Sequence, residues 1–350
     1  MMTTTNSENV GMGLSVRLSA DPHVGQIRDL IYQASGIFIS EARFRFLDER
    51  CQRRMEAVRS KSLLEYSAYL TLHPGRAAEM RCLLNEITIG ETCFFRNQAQ
   101  LDALQSFILP GIVASKSGQG LQHVRIWSAG CSTGEEPYTL AILLLENSAG
   151  LLKNWTFEII ATDLNENSIS KAQEGLYGDY ALRNMKRYYL DKYFERHGDL
   201  YQVNQEVRSR VRFSRVNLLD DSRMVFLKAM DVIFCCNVLI YFDTESKRRV
   251  VQHFFNNLMP NSHLFLGHSE SLFGITPDFK LVHYPGTTGY LRLQREPGRI
   301  LARCKPSRSS RCRTRSQYWT GYPVFRQSSP RYSVCWKKHR RLWTCRGLWT

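Results

Sequence analysis

The stretch from Val124 to Pro137, VRIWSAGCSTGEEP, constrains this chain more than any other. Val124, Ile126 and Trp127 form a short apolar run, Gly130 and Gly134 bracket a turn, and Glu135, Glu136 and Pro137 suit the first turn of a helix. A buried strand that enters a helix through a glycine loop reads as a nucleotide-type binding loop. Two common versions of that loop are excluded. A phosphate loop needs Lys and then Ser or Thr after its last glycine, whereas two carboxylates stand here and would repel a phosphate. The spacing of Gly130-Cys131-Ser132-Thr133-Gly134 also departs from the GxGxxG dinucleotide fingerprint. A cationic or hydroxyl-bearing ligand suits the loop better, and either Glu135 or Glu136 could face it.

The rest of the chain can be placed around this unit. Tyr138 to Glu146 continues a helix that is apolar on most sides, as expected for one lying against a sheet. Trp155 to Ala161 reads as a second buried strand ending at Thr162-Asp163. An acid at that tip suits the hydroxyls of a ribose, with capping of a helix from Asn165 as the plainer reading. Leu200–Val203 and Val207–Val211 alternate and predict an antiparallel hairpin, a small insertion before a third strand that ends in Val216-Asn217-Leu218-Leu219. Asp231 to Cys235 and His263 to Leu266 supply two further strands, separated by an amphipathic helix over Lys247 to Met259. Phe279–His283 and Gly289–Leu293 flank Pro285-Gly286 as a closing hairpin. Strand–helix alternation of this kind predicts an open, mostly parallel sheet with its ligand beyond the carboxyl ends of the strands, where Gly130, Gly134, Asp163, Asn217 and Asn237 all fall.

Upstream, apolar residues recur at helical spacing. Val24, Ile27, Leu30 and Ile31 share one face, and Phe44, Leu47, Cys51, Met55 and Val58 share another. The second of these helices carries Arg43, Arg50, Arg53, Arg54 and Arg59 on its remaining faces, either as a solvated basic surface or as a dock for an acidic partner. Ser62-Leu63-Leu64-Glu65 fits a capping box, and a fourth helix starts at Arg76. Asn97 can cap a helix with Leu101, Leu104, Phe107 and Ile108 inward, ending near Pro110-Gly111.

The net charge of +15 over 350 residues suggests nucleic acid until it is located. Pro297 to Thr350 holds 14 Lys and Arg and no acid, so residues 1–296 carry only about +1. That segment also holds four of the six tryptophans and reads as a basic, disordered tail over 296–350. No apolar run near the glycine loop approaches the ~20 residues of a membrane span. Ten cysteines without disulfide or zinc spacing, and a polar start, predict a cytoplasmic protein with no metal site.

Several motifs together resemble one family. Thr92-Cys93-Phe94-Phe95-Arg96, Trp127 through Tyr138, Ala161-Thr162-Asp163, Val216-Asn217-Leu218-Leu219, Asn237-Val238-Leu239-Ile240-Tyr241-Phe242 and Gly267-His268-Ser269-Glu270 resemble the chemotaxis receptor methyltransferases of the CheR family, over about residues 20–295. The resemblance implies an all-helical N-terminal domain over 20–96. A class I S-adenosylmethionine-dependent methyltransferase domain, a Rossmann-like α/β sheet, would follow over 97–295, with a small inserted antiparallel β-subdomain near 198–213 that can dock receptor tails. It implies methylation of glutamate carboxylates on methyl-accepting chemotaxis receptors, with no nucleic acid as partner. Carried over by motif, Gly90, Thr92 and Arg96 would meet the methionine end of the cofactor, and Arg96 its carboxylate. Glu135 or Glu136 and Asp163 would hold the amino group and ribose side, Asn217 with Leu218 would frame the adenine, and Asn237 and Tyr241 would line the sulfonium end. Arg96 and Tyr241 are the residues closest to the reaction on this reading. At Cys236, carried over as a cofactor-lining position, the family often has arginine, and here a thiol replaces the guanidinium.

Two rivals stand beside this reading. A nucleic-acid methyltransferase would use the basic tail as its anchor, but amino-group methylases of bases commonly carry an Asn/Asp-Pro-Pro-aromatic turn where this chain has Asn237-Val238-Leu239-Ile240. A non-catalytic cofactor-binding receptor adaptor rests on Cys236 alone. His268-Ser269-Glu270 is no hydrolase triad, because consecutive residues of a strand point to opposite faces.

Overall fold

A computed structural model describes residues 21–294, and the basic segment 296–350 lies outside them. The described residues open with four helices, α1 (Pro22–Ser35), α2 (Phe44–Val58), α3 (Leu63–Leu72) and α4 (Arg76–Ile87). Asp21 caps α1 by accepting from the His23 amide, Pro22 pre-sets its first turn, and Gly36 at φ +74° closes it. Ile27, Ile31, Leu47, Cys51, Tyr66 and Leu83 are fully or almost fully buried where the four helices meet. Within that core the Glu79 carboxylate is fully satisfied: Arg54 reaches it with two bonds of 2.9 and 2.7 Å, and Tyr66 donates a third at 2.7 Å. One arginine of the basic helix is thereby structural, while Arg43 and Arg50 each lie over the Phe46 ring, at 4.8 and 4.7 Å from its centroid.

After a connecting strap, α5 (Gln98–Ala103) and α6 (Leu109–Ser117) run on as one rod through a wide turn at Leu104–Ile108. The expected stop at Pro110-Gly111 does not occur. Pro110 lacks an N–H, and the wide turn, in which the Leu109 amide reaches back to the Leu104 carbonyl, lets the rod continue past it. Leu101, Leu104 and Ile108 point inward as predicted, but Phe107 is half exposed and leans on Tyr284 instead.

The remaining elements are β1 (His123–Ala129), α7 (Glu135–Glu146), β2 (Thr156–Asp163), α8 (Glu166–Glu174), β3 (Leu176–Tyr177), the short α9 (Asp179–Leu182) and α10 (Arg187–Tyr193), β4 (Phe194–His197), β5 (Leu200–Val203), α11 (Gln205–Arg208), β6 (Val211–Arg215), β7 (Met230–Cys235), α12 (Thr244–Asn257), β8 (Leu258–Leu266), β9 (Phe279–Tyr284) and β10 (Thr287–Arg292). Seven of the strands form one sheet in the order β6-β2-β1-β7-β8-β10-β9. Its first five strands are parallel, and the closing hairpin of β9 and β10 adds on antiparallel. Both faces are covered, which is why the central strands read as nearly continuous apolar runs. Along β1, Val124 and Ile126 pack with α7, while Trp127 and Ala129 pack on the other face with Val250 and Phe254 of α12.

The small antiparallel sheet is present, but not with the predicted pairing. β5 lies between β3 and β4, and Val207–Val211 takes no part in it. Asn204 instead accepts from the Val207 amide and caps the helical turn α11, which carries the chain away from a hairpin. Val211 then starts β6, parallel to β2, so the third strand of the main sheet precedes Val216–Leu219 rather than ending in it.

At the amino ends of the strands, Lys116 pins α6 to the sheet. Its Nζ donates to Asp231 Oδ2 at 2.6 Å and to the His123 carbonyl at 2.7 Å, and the same carboxylate oxygen accepts from the Arg125 amide. Asp231 is only 2% exposed. Lys116→Met therefore strands a buried carboxylate and is expected to lower the unfolding free energy by about 3 kcal/mol in urea titration; an unchanged midpoint would show that the pair adds nothing. A second expectation concerns Gly130, at φ +81°, where an added Cβ would lie 2.3 Å from Val238 Cγ2. Gly130→Ala should cost about 3 kcal/mol from strain and overpacking, whereas Gly25→Ala, in α1 with open space around it, should be neutral or slightly stabilising in the same thermal melts.

Candidate active site

The glycine loop is built by its contacts with β2. The Gly130 and Cys131 amides both donate to the Thr162 carbonyl, at 2.7 and 2.9 Å, and Trp127 Nε1 donates to Thr162 Oγ1 at 2.9 Å. Asp163, the last residue of β2, accepts from the Ser132 amide with one oxygen and from the Asn165 amide with the other, both at 2.8 Å. Asn165, not Asp163, caps α8, accepting from the Ser168 amide. Asp163 thus ties the strand tip to the glycine loop and keeps lone pairs for a ligand. Burial pushes its carboxyl up from the ordinary range, and the backbone donors pull it back.

Above the loop lies a cavity of about 280 Å³ at the carboxyl ends of β1, β2, β6 and β7. This is where the strand order reverses across β1, the usual ligand crevice of such sheets. The strap between α4 and α5 closes one side with Gly90, Thr92 and Arg96. Ser132 Oγ donates to the Gly90 carbonyl at 3.1 Å, and a Cβ on Gly90 would sit 2.5 Å from that hydroxyl, so the strap can approach the loop only with glycine there. Arg96 donates to the Glu91 carbonyl at 2.6 Å and keeps the rest of its guanidinium for the cavity.

The two acids of α7 separate cleanly. Glu136 lines the cavity, with the Ser128 hydroxyl donating to it at 2.6 Å. Glu135 is buried behind the loop against Thr133 Oγ1 at 2.7 Å and does not reach the cavity. Burial pushes the Glu136 carboxyl upward; Ser128, Cys236 and the charge of Arg96 oppose that push. Cys236 also lines the cavity and donates to Gln100 Oε1 at 3.4 Å; burial raises its thiol well above the usual value, so it stays neutral.

On the far side stand Asn217 and Leu218. Both ends of the Asn217 side chain are already engaged, with the Ala34 carbonyl at 3.0 Å and the Leu219 amide at 3.0 Å, so Asn217 contributes shape rather than a free amide. After β7, Asn237 adopts φ +62° and leads to Tyr241, whose hydroxyl donates to the Ile89 carbonyl across the cavity at 3.3 Å. Burial raises the Tyr241 phenol despite Arg43 and Arg96. The cavity lining contains no His and no Lys among the described residues.

Sequence reasoning missed two supports. Gln100 is 2% exposed and donates to the Leu266 carbonyl at 2.7 Å; a glutamine on an otherwise apolar helix face is the signal that could have found it. Glu270 enters the sequence reading only within the Gly267–Glu270 motif and as part of a rejected triad, with no role of its own. His268 and Ser269 lie in a turn beyond β8, not on a strand, and the Glu270 carboxylate is turned back onto the loop after β7.

The chemistry of this lining fits S-adenosylmethionine. The guanidinium of Arg96 and the carboxylates of Glu136 and Asp163 in the lining suit a ligand carrying both a carboxylate and cationic groups, and Gly90 and Gly130 let the strap and the loop after β7 close in around it, since a Cβ at either would strike Ser132 Oγ or Val238 Cγ2.

Among known proteins, residues 90–287 match the CheR methyltransferase SAM binding domain, and residues 23–88 match the CheR methyltransferase all-alpha domain. The chain is 38% identical over 268 residues to chemotaxis protein methyltransferase 2 of Vibrio cholerae serotype O1, covering 76% of this chain and 91% of that one. It is 34% identical over 260 residues to chemotaxis protein methyltransferase 1 of Pseudomonas aeruginosa, covering 73% and 92%. Against the chemotaxis protein methyltransferase of Borreliella burgdorferi the identity is 31% over 270 residues, covering 77% and 94%. With the four-helix module and the cavity-bearing sheet each matched to a domain of one family, and relatives that span both, this chain belongs to the CheR methyltransferases.

Proposed function

We propose that this protein methylates glutamate side-chain carboxylates on methyl-accepting chemotaxis receptors, forming glutamyl methyl esters. The observation that carries this reading is the cavity's charge layout, Arg96 opposite Glu136 and Asp163 with no His or Lys between them, in a chain whose relatives are chemotaxis protein methyltransferases. S-adenosylmethionine, when bound, supplies an electrophilic methyl group on a positively charged sulfur. Arg96 would hold its carboxylate, Glu136 its amino group and Asp163 the ribose hydroxyls, while Leu218 and the side of Asn217 frame the adenine. Asn237 and Tyr241 would border the reacting end.

A substrate glutamate needs no base, because a carboxyl with an ordinary pKa near 4.3 is ionised at neutral pH. The residues around it have a different task, which is to orient the carboxylate in line and exclude water from it. Cys236, neutral and bonded to Gln100, adds no charge to this arrangement, so Arg96 is the cation that balances Glu136. The small antiparallel sheet offers its outer strand β4, exposed beyond Phe194, as an edge onto which an extended receptor tail could add.

Incubation with methyl-labelled cofactor and receptor-bearing membranes should give protein label that is released as methanol by alkali. RNA labelling would favour a nucleic-acid methyltransferase, and cofactor binding without transfer would favour an adaptor. Arg96→Ala should reduce cofactor affinity by about tenfold to a hundredfold, with Arg96→Lys recovering only part because a lysine cannot present a two-pronged donor.

The pH profile is a separate check. Tyr241 stays protonated because its phenol is raised, and no imidazole lines the cavity, so kcat should be flat between about pH 6.5 and 8.5. A single-proton inflection near 6.5 would instead reveal a histidine base.

A further inference from the structure

We infer that Glu270 is a positioning residue for the reacting end of the site, holding the loop from Asn237 to Tyr241 in its working shape through a three-point carboxylate clamp. The inference rests on the methyltransferase reading above. Glu270 Oε2 accepts from the Asn237 amide at 2.8 Å and from the Gly267 amide at 2.6 Å, and Oε1 accepts from the Ile240 amide at 3.2 Å. One carboxylate therefore gathers both ends of the loop that follows β7 and the end of β8 beside it.

The loop needs such a hold. Asn237 sits at φ +62°, a conformation that non-glycine residues adopt at a cost, and it must turn there for Tyr241 to reach back over the cavity to Ile89. The Asn237 amide lies outside any helix or strand ladder, the Ile240 amide belongs to the first turn of a short 3-10 helix over Leu239–Tyr241, where a helix leaves its amides without an internal acceptor, and Glu270 supplies the acceptor for both. An ionised carboxylate is suited to this, since it accepts at two oxygens and donates at neither. The fit is tight: a Cβ on Gly267 would lie 2.7 Å from Glu270 Oε2 and 2.8 Å from the Asn237 nitrogen, so glycine at 267 is the condition for the clamp to close.

The clamp makes a graded prediction. Glu270→Gln keeps one oxygen, enough for Asn237 and Gly267, but sets an NH2 against the Ile240 amide. Glu270→Ala removes all three bonds, and Gly267→Ala forces the partners apart without touching the carboxylate. Two readouts are taken on the full chain. Amide hydrogen exchange of the peptide spanning 236–242 should accelerate by about tenfold in Glu270→Gln and further in the other two. In receptor methylation, kcat should fall by about tenfold in Glu270→Gln and more in Glu270→Ala, with the KM for S-adenosylmethionine changed less than about threefold, because the loop borders the reacting end and not the grip on the cofactor.

Glu79→Gln, which loosens a buried carboxylate in the helical module, serves as the control: it should lower the melting temperature while leaving kcat and the exchange of 236–242 unchanged. Wild-type exchange in Glu270→Gln and Gly267→Ala overturns the clamp. Normal kcat in folded Glu270→Ala overturns the positioning role. If the wild-type protein methylates no receptor, the proposed function fails, and the exchange measurement still decides the clamp.

Discussion

The site depends first on the tip of β2. A parallel sheet presents the carboxyl ends of its strands with unpaired backbone groups, and here the Thr162 carbonyl takes the amides of Gly130 and Cys131 while Asp163 takes that of Ser132. Three consecutive amides of the glycine loop are thus fixed by two consecutive residues of the neighbouring strand. That arrangement turns the loop away from the sheet and sets the first turn of α7 facing the cavity. Glu136 reaches the cavity, and Glu135, one residue earlier and about 100° away around the helix, is turned into the core.

The electrostatics follow from the same placement. A helix N-terminus favours a carboxylate in its first turn, while removal from water disfavours it. For Glu136 burial is the larger effect, and what opposes it is local: the hydroxyl of Ser128, the thiol of Cys236 and the charge of Arg96. The cavity therefore holds acids that gain from a cationic ligand. A phosphate would meet the opposite situation: both glutamates after Gly134 argue against a phosphate loop in the sequence, and Glu136 is the one that faces the cavity in space.

What was legible in the sequence is what is local. Caps, turn glycines and apolar periodicity placed the four helices, the strands of the main sheet other than β6, and the loop ends at Gly130, Asp163 and Asn237. The failures are where a local signal had a competitor or where the partner is remote. Alternation at Val207–Val211 looked like a strand, but Asn204 followed three residues later by Val207 made a capped turn, and the capped turn won. Pro110 looked like a stop because the ordinary helical ladder forbids it, yet a widened turn just before it removes the conflict. The role of Glu270 could not be read from its motif, because two of its three partners, at Asn237 and Ile240, are about thirty residues away, and all three are backbone amides, which leave no trace in side-chain patterns.

The helical module belongs to the same constraint. Every loop that borders the cavity is also bonded to the module or its strap: Ser132 after β1 to Gly90, Asn165 after β2 to Asn85 and Thr88, Asn217 after β6 to Ala34, and Tyr241 after β7 to Phe38 and Ile89. Backbone groups at strand ends must find partners, and here the helices supply them. The cavity is consequently not a property of the sheet alone. Binding that tightens any of these loops tightens the roof as well, and a movement of the roof loosens four loops together.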